Sequence, residues 1–356
     1  MTLPVTMRAV LLTGHGGFNR LELRSDMPVP EPRPGEVLIK VGAAGVNNTD
    51  INTRIGWYSK AVAEATEVGG ASGIAGAEGD GWSGEEFRFP RIQGADACGR
   101  IVTVGEGVGA ARIGERVLVE PVFRGADPYD VSYFGSEVDG AFAEYALVPS
   151  VHAHRIECSL SDAELASFPC AYSAAENMLT RIGLAKGERV LITGASGGVG
   201  SAAVQLAKRR GAEVTAIAGG DKADAVRTLG AGRVIPRDAD LAALFGNEHF
   251  DTAIDVVGGA QFGPMLDCLK RGGRYAVAGA ISGPIVDLDL RTLYLKDLRL
   301  FGCTVFEGQV FPDLIGYIER GEIKPLVAAT YPLAEIVAAQ EAFLTKRHVG
   351  KVVLTL

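Results

Sequence analysis

RVLITGASGGVGSAAVQLAKRRGAEV (residues 189–214) decides the fold of this 356-residue chain. An apolar run ends at Thr193, and a turn built on Gly194, Gly197, Gly198 and Gly200 opens a helix expected from about Val199 to Arg210. A second apolar run, EVTAIAGG, follows at 213–220. Glycines let the backbone approach a pyrophosphate and let the helix pack on the strand. The helix N-terminus then supplies unpaired N–H groups and a dipole that favours an anion. Strand, turn, helix and strand in this order predict a dinucleotide site, with Ser196, Gly197, Gly198, Val199 and Gly200 at the phosphates. A P-loop is excluded, because no lysine follows the glycines.

The second strand also bears on the choice of cofactor. A site for NADH places Asp or Glu at its end to accept from the ribose 2′-OH. Here Ala218, Gly219 and Gly220 stand at that point, Lys222 follows, and Arg237 lies in VIPRD further on. Removing the carboxylate lifts repulsion against a 2′-phosphate, and the cations oppose its charge. NADPH is the expected cofactor.

Beyond 214 the pattern repeats: helix over 221–230, strand RVIP, strand FDTAIDVV, helix over 261–270, then strands GRYAVAGA and LRLFGCTVF. Strands alternating with short helices predict a parallel, doubly wound sheet over 156–308. Upstream, residues 1–155 carry short Val/Ile/Leu runs punctuated by Gly and Pro, the signature of a β domain. SLSDAELASFPCAYSAAENMLTRIGL between them reads as helix, with Ser161 or Asp162 as N-cap. The tail holds two helices and a last strand, KVVLTL, with no place in the parallel sheet. That strand is expected to rejoin the first domain, so 309–356 is grouped with 1–155. Residues 59–90, rich in Gly, Ala and acid, read as an inserted segment: either a solvated loop or a substrate lid using Trp82, Phe87 and Phe89.

Composition limits the function class. The hydrophobic share of 47% and charged share of 22% are those of a globular protein. The net charge of −8, with Lys and Arg dispersed, argues against nucleic acid as a partner. No apolar run approaches the ~18 residues of a membrane span, and the N-terminus lacks a basic region and cleavage site. The five cysteines form no CxxC and read as free thiols of a cytoplasmic protein that handles small molecules.

GEVLIKVGAAGVNNTD (35–50), GADACGRIVTVGEGVG (94–109), GERV (114–117), GAFAEYALVP (140–149), the glycine turn and HVGKVVL (348–354) run through nearly the whole chain. With them the chain resembles the medium-chain dehydrogenase/reductase superfamily, which implies an α/β architecture of a GroES-like β domain and a Rossmann domain. Short-chain dehydrogenases share the glycine turn but carry Tyr-x-x-x-Lys, and none of Tyr275, Tyr294, Tyr317 or Tyr331 is followed four residues on by lysine. Zinc alcohol dehydrogenases of the superfamily hold their metal with Cys, His and Cys. The matching positions here are Asn47, Ala95 and Cys170, and one thiol cannot hold a zinc that needs three protein ligands. His152 and His154 have no third ligand nearby, and no metal site is expected.

Without a Lewis acid, hydride transfer to a conjugated acceptor is the easier reaction, because hydrogen-bond donors suffice for the charge that develops. This is the chemistry of the superfamily's zinc-free quinone oxidoreductase branch, whose active-site stretch GVNNTDINTRIGWYS (45–59) resembles. Asn47 and Tyr58 are the implied donors to the substrate oxygen, and Asp50 orients neighbours through Arg54. The resemblance also puts Asn48, Gly279, Ala280 and Lys351 on the cofactor. It implies a homodimer or homotetramer paired through the edge near LRLFGCTVF (298–306). The expected activity is NADPH-dependent reduction of a quinone or α,β-unsaturated carbonyl. The alternatives are a zinc-type alcohol or aldehyde dehydrogenase and a non-enzymatic NADPH-binding protein.

Overall fold

The computed structural model describes residues 3–74, 87–127 and 129–356, and these divide into two compact units. The first comprises 1–62, 68–170 and 311–356, and the second 63–67 and 171–310.

In the first unit, strand Glu36–Val46 is buried along nearly its whole length and is the spine of a seven-stranded sheet. It pairs antiparallel with Cys98–Val104 on one side and with the closing strand Lys351–Thr355 on the other. Lys351–Thr355 in turn pairs parallel with Val327–Pro332. The tail therefore does rejoin the first unit, as its four consecutive buried positions require. Tyr145–Pro149 also pairs with Glu36–Val46, and a separate three-stranded sheet runs Leu21–Pro28, Thr6–Leu12, Arg91–Ile92. The core between them includes Val10, Leu38, Ile39, Ile51, Phe134, Phe142 and Val352.

The second unit is a six-stranded, all-parallel sheet in the order Arg233–Ile235, Glu213–Ile217, Arg189–Ile192, Phe250–Asp255, Leu269–Val277, Arg299–Gly302. Numbered along the chain this is 3-2-1-4-5-6, the doubly wound dinucleotide-binding order, with its switch point beside Arg189–Ile192. Helix Gly198–Arg209 follows that strand, one residue earlier at each end than expected, with Gly197 as N-cap and Lys208 and Arg209 in the last turn.

Three features differ from expectation. The helical stretch after 158 is two helices, Asp162–Leu165 and Pro169–Arg181. Ser161 caps the first in a capping box with Glu164, and proline, which opens a helix readily but breaks its interior, starts the second. The boundary between units falls after Cys170 rather than at 155, because the short Asp162–Leu165 helix packs on the first unit's strands Glu36–Val46 and Cys98–Val104. Strand LRLFGCTVF ends at Gly302, leaving Val305 outside it.

The inserted stretch is divided as well. Ala63–Glu67 clusters with the second unit, where Thr66 N–H donates to Ile281 O at 3.1 Å. Phe87 and Phe89 pack on each other and on His15, with Phe89 edge-on to its ring at 4.8 Å, so both anchor this segment to the first unit. Trp82 lies outside the described residues.

Candidate functional site

Three chain segments meet where the central strand of the first unit ends. Val46 pairs with Val352, and Ala43 pairs with Cys98, so Asn47, Asp96 and Lys351 emerge from three neighbouring strands at one place. All three side chains are buried. Lys351 Nζ donates to Asn47 Oδ1 at 2.5 Å and to Asp96 Oδ2 at 2.7 Å. Asn47 Nδ2 donates to the same Asp96 oxygen at 2.9 Å, and Asp96 Oδ1 accepts from Cys170 N at 2.6 Å. Gly45 is required here, since a Cβ on it would lie 2.4 Å from Asp96 Oδ2.

Asn47 also caps helix Asn48–Ile55, and its backbone N–H donates to Asp50 Oδ2 at 2.7 Å. Asp50 Oδ1 accepts from Gly94 N at 3.3 Å. Burial pushes the Asp50 carboxyl up to about 7, against the pull of the Asn47 N–H and the Lys351 charge. Tyr58 Oη donates to Thr49 Oγ1 at 3.3 Å, and burial pushes its hydroxyl up to about 12, so it keeps its proton at neutral pH. Burial, with the charge of Asp96, likewise drives the Cys170 thiol well above its ordinary value.

These contacts correct several expectations. Asp50 does not act through Arg54, whose guanidinium instead binds Gln340 Oε1, Gly16 O and Gly70 O and stacks over Phe18. The amide N–H groups of Asn47 point to Asp96 and Gly45 O, so it meets a carboxylate and a carbonyl rather than standing open as a donor. Lys351, expected on the cofactor, is part of the Asn47 cluster, and Asn48 Oδ1 accepts from Lys346 Nζ at 2.9 Å. Sequence reasoning missed Asp96. A carboxylate between Ala95 and Ala97 in a buried run needs a buried cation, and that was the available signal.

His152 and His154 both meet Glu120 Oε2, at 3.1 and 2.9 Å, and Arg124 holds the other oxygen. Burial opposes the Glu120 charge, but these partners outweigh it and hold the carboxyl down to about 2. Among the described residues no group of three or more His, Cys, Asp and Glu is arranged to hold a metal. At the three positions matching zinc ligands, Ala95 has no donor atom, Asn47 is engaged by Lys351 and Asp96, and the Cys170 thiol is held protonated. This donor set does not fit zinc.

In the second unit the glycine turn is tight. A Cβ on Gly200 would lie 2.2 Å from Gly194 O, so only glycine lets the helix start this close to the strand. The first-turn N–H groups of the helix have no intrahelical acceptor, which suits a phosphate. Asp255 braces the turn: Oδ1 accepts from Thr193 Oγ1 at 2.6 Å and Oδ2 from Tyr275 Oη at 2.6 Å. Ser196 and Lys222 are buried. Burial and the nearby charge of Arg237 lower the Lys222 ammonium, so the two expected cations are brought together. Gly279 and Ala280 follow Leu269–Val277 and lie against Val256 and Gly258. These residues fit a dinucleotide.

A family model described as an alcohol dehydrogenase GroES-like domain matches residues 33–158, and one described as a zinc-binding dehydrogenase matches 198–320. The acryloyl-coenzyme A reductase of Metallosphaera sedula is 31% identical over 98% of this chain and all of its own length. The quinone oxidoreductase of Lama guanicoe is 30% identical over 98% of each chain. Among solved structures, a thermostable alcohol dehydrogenase from Pyrobaculum aerophilum with cobalt and zinc bound is 30% identical. It superposes with a TM-score of 0.82 over 99% of this chain and 100% of its own.

Proposed function

Because the chain belongs to the medium-chain dehydrogenase/reductase superfamily as a quinone oxidoreductase-like member, we propose that it reduces a quinone or α,β-unsaturated carbonyl with NADPH and without zinc. The observation that carries this reading is the set Asn47, Ala95, Cys170 and Lys351, in which a metal finds one protonated thiol and an ammonium. The names of the relatives agree on the acceptor, since an acryloyl thioester and a quinone are both conjugated carbonyl compounds.

Gly197, Gly198, Val199 and Gly200, with Ser196, hold the pyrophosphate at the helix N-terminus. Lys222 and Arg237 oppose the 2′-phosphate. Gly279 and Ala280 border the nicotinamide half. When bound, NADPH supplies the hydride. The chain's own part is to orient the acceptor and stabilise the oxygen that gains charge. Tyr58 retains its proton and donates from Oη. Asp50 fixes the backbone of Asn47, and Asn47 with Lys351 sets the polarity around the substrate.

A second copy pairs with strand Arg299–Gly302, one of the two edges of the parallel sheet, giving a homodimer or a homotetramer. The five unpaired cysteines suit a reducing, cytoplasmic setting. No helix among the described residues is long and apolar enough to cross a membrane.

The test is NADPH oxidation by EDTA-treated protein against quinones, enones and simple aldehydes, with NADH as control. Turnover on quinones or enones alone is expected. Reduction of simple aldehydes that appears only after zinc is added would replace this reading with a zinc-type alcohol dehydrogenase, the chemistry named for the Pyrobaculum relative.

A further inference from the structure

We propose that the Lys351 ammonium is the resident cation of the Asn47–Asp96–Cys170 cluster and keeps divalent metal out of it. The proposal rests on the zinc-free reading above and says which residue enforces it.

Asn47 Oδ1 and Asp96 Oδ2 both turn toward Lys351 Nζ, at 2.5 and 2.7 Å. A metal bound by those oxygens would sit about 2.0–2.2 Å from each, in the volume the ammonium fills. Two cations cannot share that space, because their repulsion is poorly screened where the side chains of Lys351 and Asp96 are only 4% and 0% exposed. The ammonium also completes the hydrogen bonding of the cluster. It takes one Asp96 lone pair, orients the Asn47 carbonyl toward itself and leaves the Asn47 NH₂ facing Asp96.

The remaining donor, Cys170, lies close enough to feel the charges of Asp96, Lys351 and Asp50. A metal would have to displace the ammonium from both oxygens. Without the Lys351 charge, the same pocket presents a buried carboxylate and an amide oxygen with no cation to balance them, beside Cys170, whose backbone N–H Asp96 holds. That is a donor set in search of one.

The experiment titrates cobalt(II) into the full chain after chelator treatment and dialysis, reading retained metal and the visible absorption of a thiolate–cobalt bond. Wild type should retain no stoichiometric cobalt and develop no such band. Lys351→Met should take up one equivalent with a thiolate band, and adding Cys170→Ser should abolish the band. Lys351→Gln leaves a neutral donor for Asp96, so it serves if the Met variant does not fold. The proposal is overturned if wild type takes up one equivalent that Cys170→Ser removes. It is equally overturned if the folded Lys351 variants stay cobalt-free.

NADPH oxidation in EDTA is followed in parallel. Enone or quinone turnover by wild type, with cobalt-free Lys351 variants, removes this proposal and leaves the reductase reading standing. No turnover on any acceptor, with cobalt bound only by the Lys351 variants, removes the reductase reading and leaves this one.

Discussion

Lys351 Nζ lies 2.7 Å from Asp96 Oδ2, although the two residues are 255 positions apart in the chain. The last strand of the protein delivers the lysine, a loop before Cys98–Val104 delivers the aspartate, and both strands pair with Glu36–Val46. Asn47, directly after that central strand, closes the triad. The candidate site is thus assembled by the sheet register, and a slip of one residue at either ladder would turn a charged partner to the opposite face.

The pair is buried, so breaking it by removing one partner should be costly. Asp96→Ala or Lys351→Ala alone is expected to lower stability by about 3–5 kcal/mol, since each leaves an uncompensated buried charge. The double variant should lose markedly less than the sum of the two. Urea unfolding followed by a probe in the first unit checks this, and additive losses would mean that the two charges do not depend on each other.

Much of the architecture could be read in advance for physical reasons. The glycine turn is legible because Gly194, Gly197, Gly198 and Gly200 sit between an apolar run and a helix, a local pattern with few alternatives. The return of KVVLTL to the first unit was legible because a last strand after two tail helices has no place in the parallel sheet, and it pairs with Glu36–Val46 and Val327–Pro332 instead. The site was less legible. Asp50 and Arg54 are four apart on one helix, the spacing of an ion pair, yet Arg54 finds Gln340 and two carbonyl oxygens instead. The role of Asp96 depends on Lys351, and no local pattern links positions that meet only through strand pairing.

Lys222 should distinguish the two nicotinamide cofactors. Lys222→Ala is expected to raise the NADPH dissociation constant roughly tenfold, the equivalent of about 1.4 kcal/mol, while NADH binding stays within about twofold. Because burial and Arg237 lower the Lys222 ammonium, NADPH should also bind more tightly as pH falls. Fluorescence titration of both cofactors checks this, and an equal loss for both would remove the 2′-phosphate assignment.

Gly200→Ala tests the turn itself. The new methyl would lie 2.2 Å from Gly194 O and 2.8 Å from Ala195 Cα, both backbone atoms that cannot swing aside. Dinucleotide binding should fall at least a hundredfold, about 2.7 kcal/mol, or the second unit should unfold at lower temperature. Calorimetry with and without NADPH separates the two, and unchanged binding would mean that the turn is not the phosphate site.

Leu300 is 39% exposed on the edge strand, and Leu290, Tyr294 and Leu295 on the preceding helix are exposed as well. An apolar edge of this kind invites pairing with a second copy. Leu300→Lys should convert the proposed homo-oligomer to a folded monomer on sizing with light scattering. Val305, beyond the end of the strand, should be much less sensitive. An oligomer that survives Leu300→Lys unchanged would place the interface elsewhere.

Asp50 gives a pH dependence with a definite sign. Its carboxyl is raised from 3.8 to about 7 in the folded protein, so over that range the folded state holds a proton that the unfolded chain has lost. Stability from this group is therefore fully present below about pH 4 and is lost as pH rises toward 7, by up to about 4 kcal/mol. Asp50→Asn should flatten that slope between about pH 4 and 7. The same ionisation should appear near pH 7 in kcat for the wild type and vanish in the variant. Unfolding midpoints measured across this window for both proteins decide the matter, and parallel curves would show that Asp50 is ionised throughout.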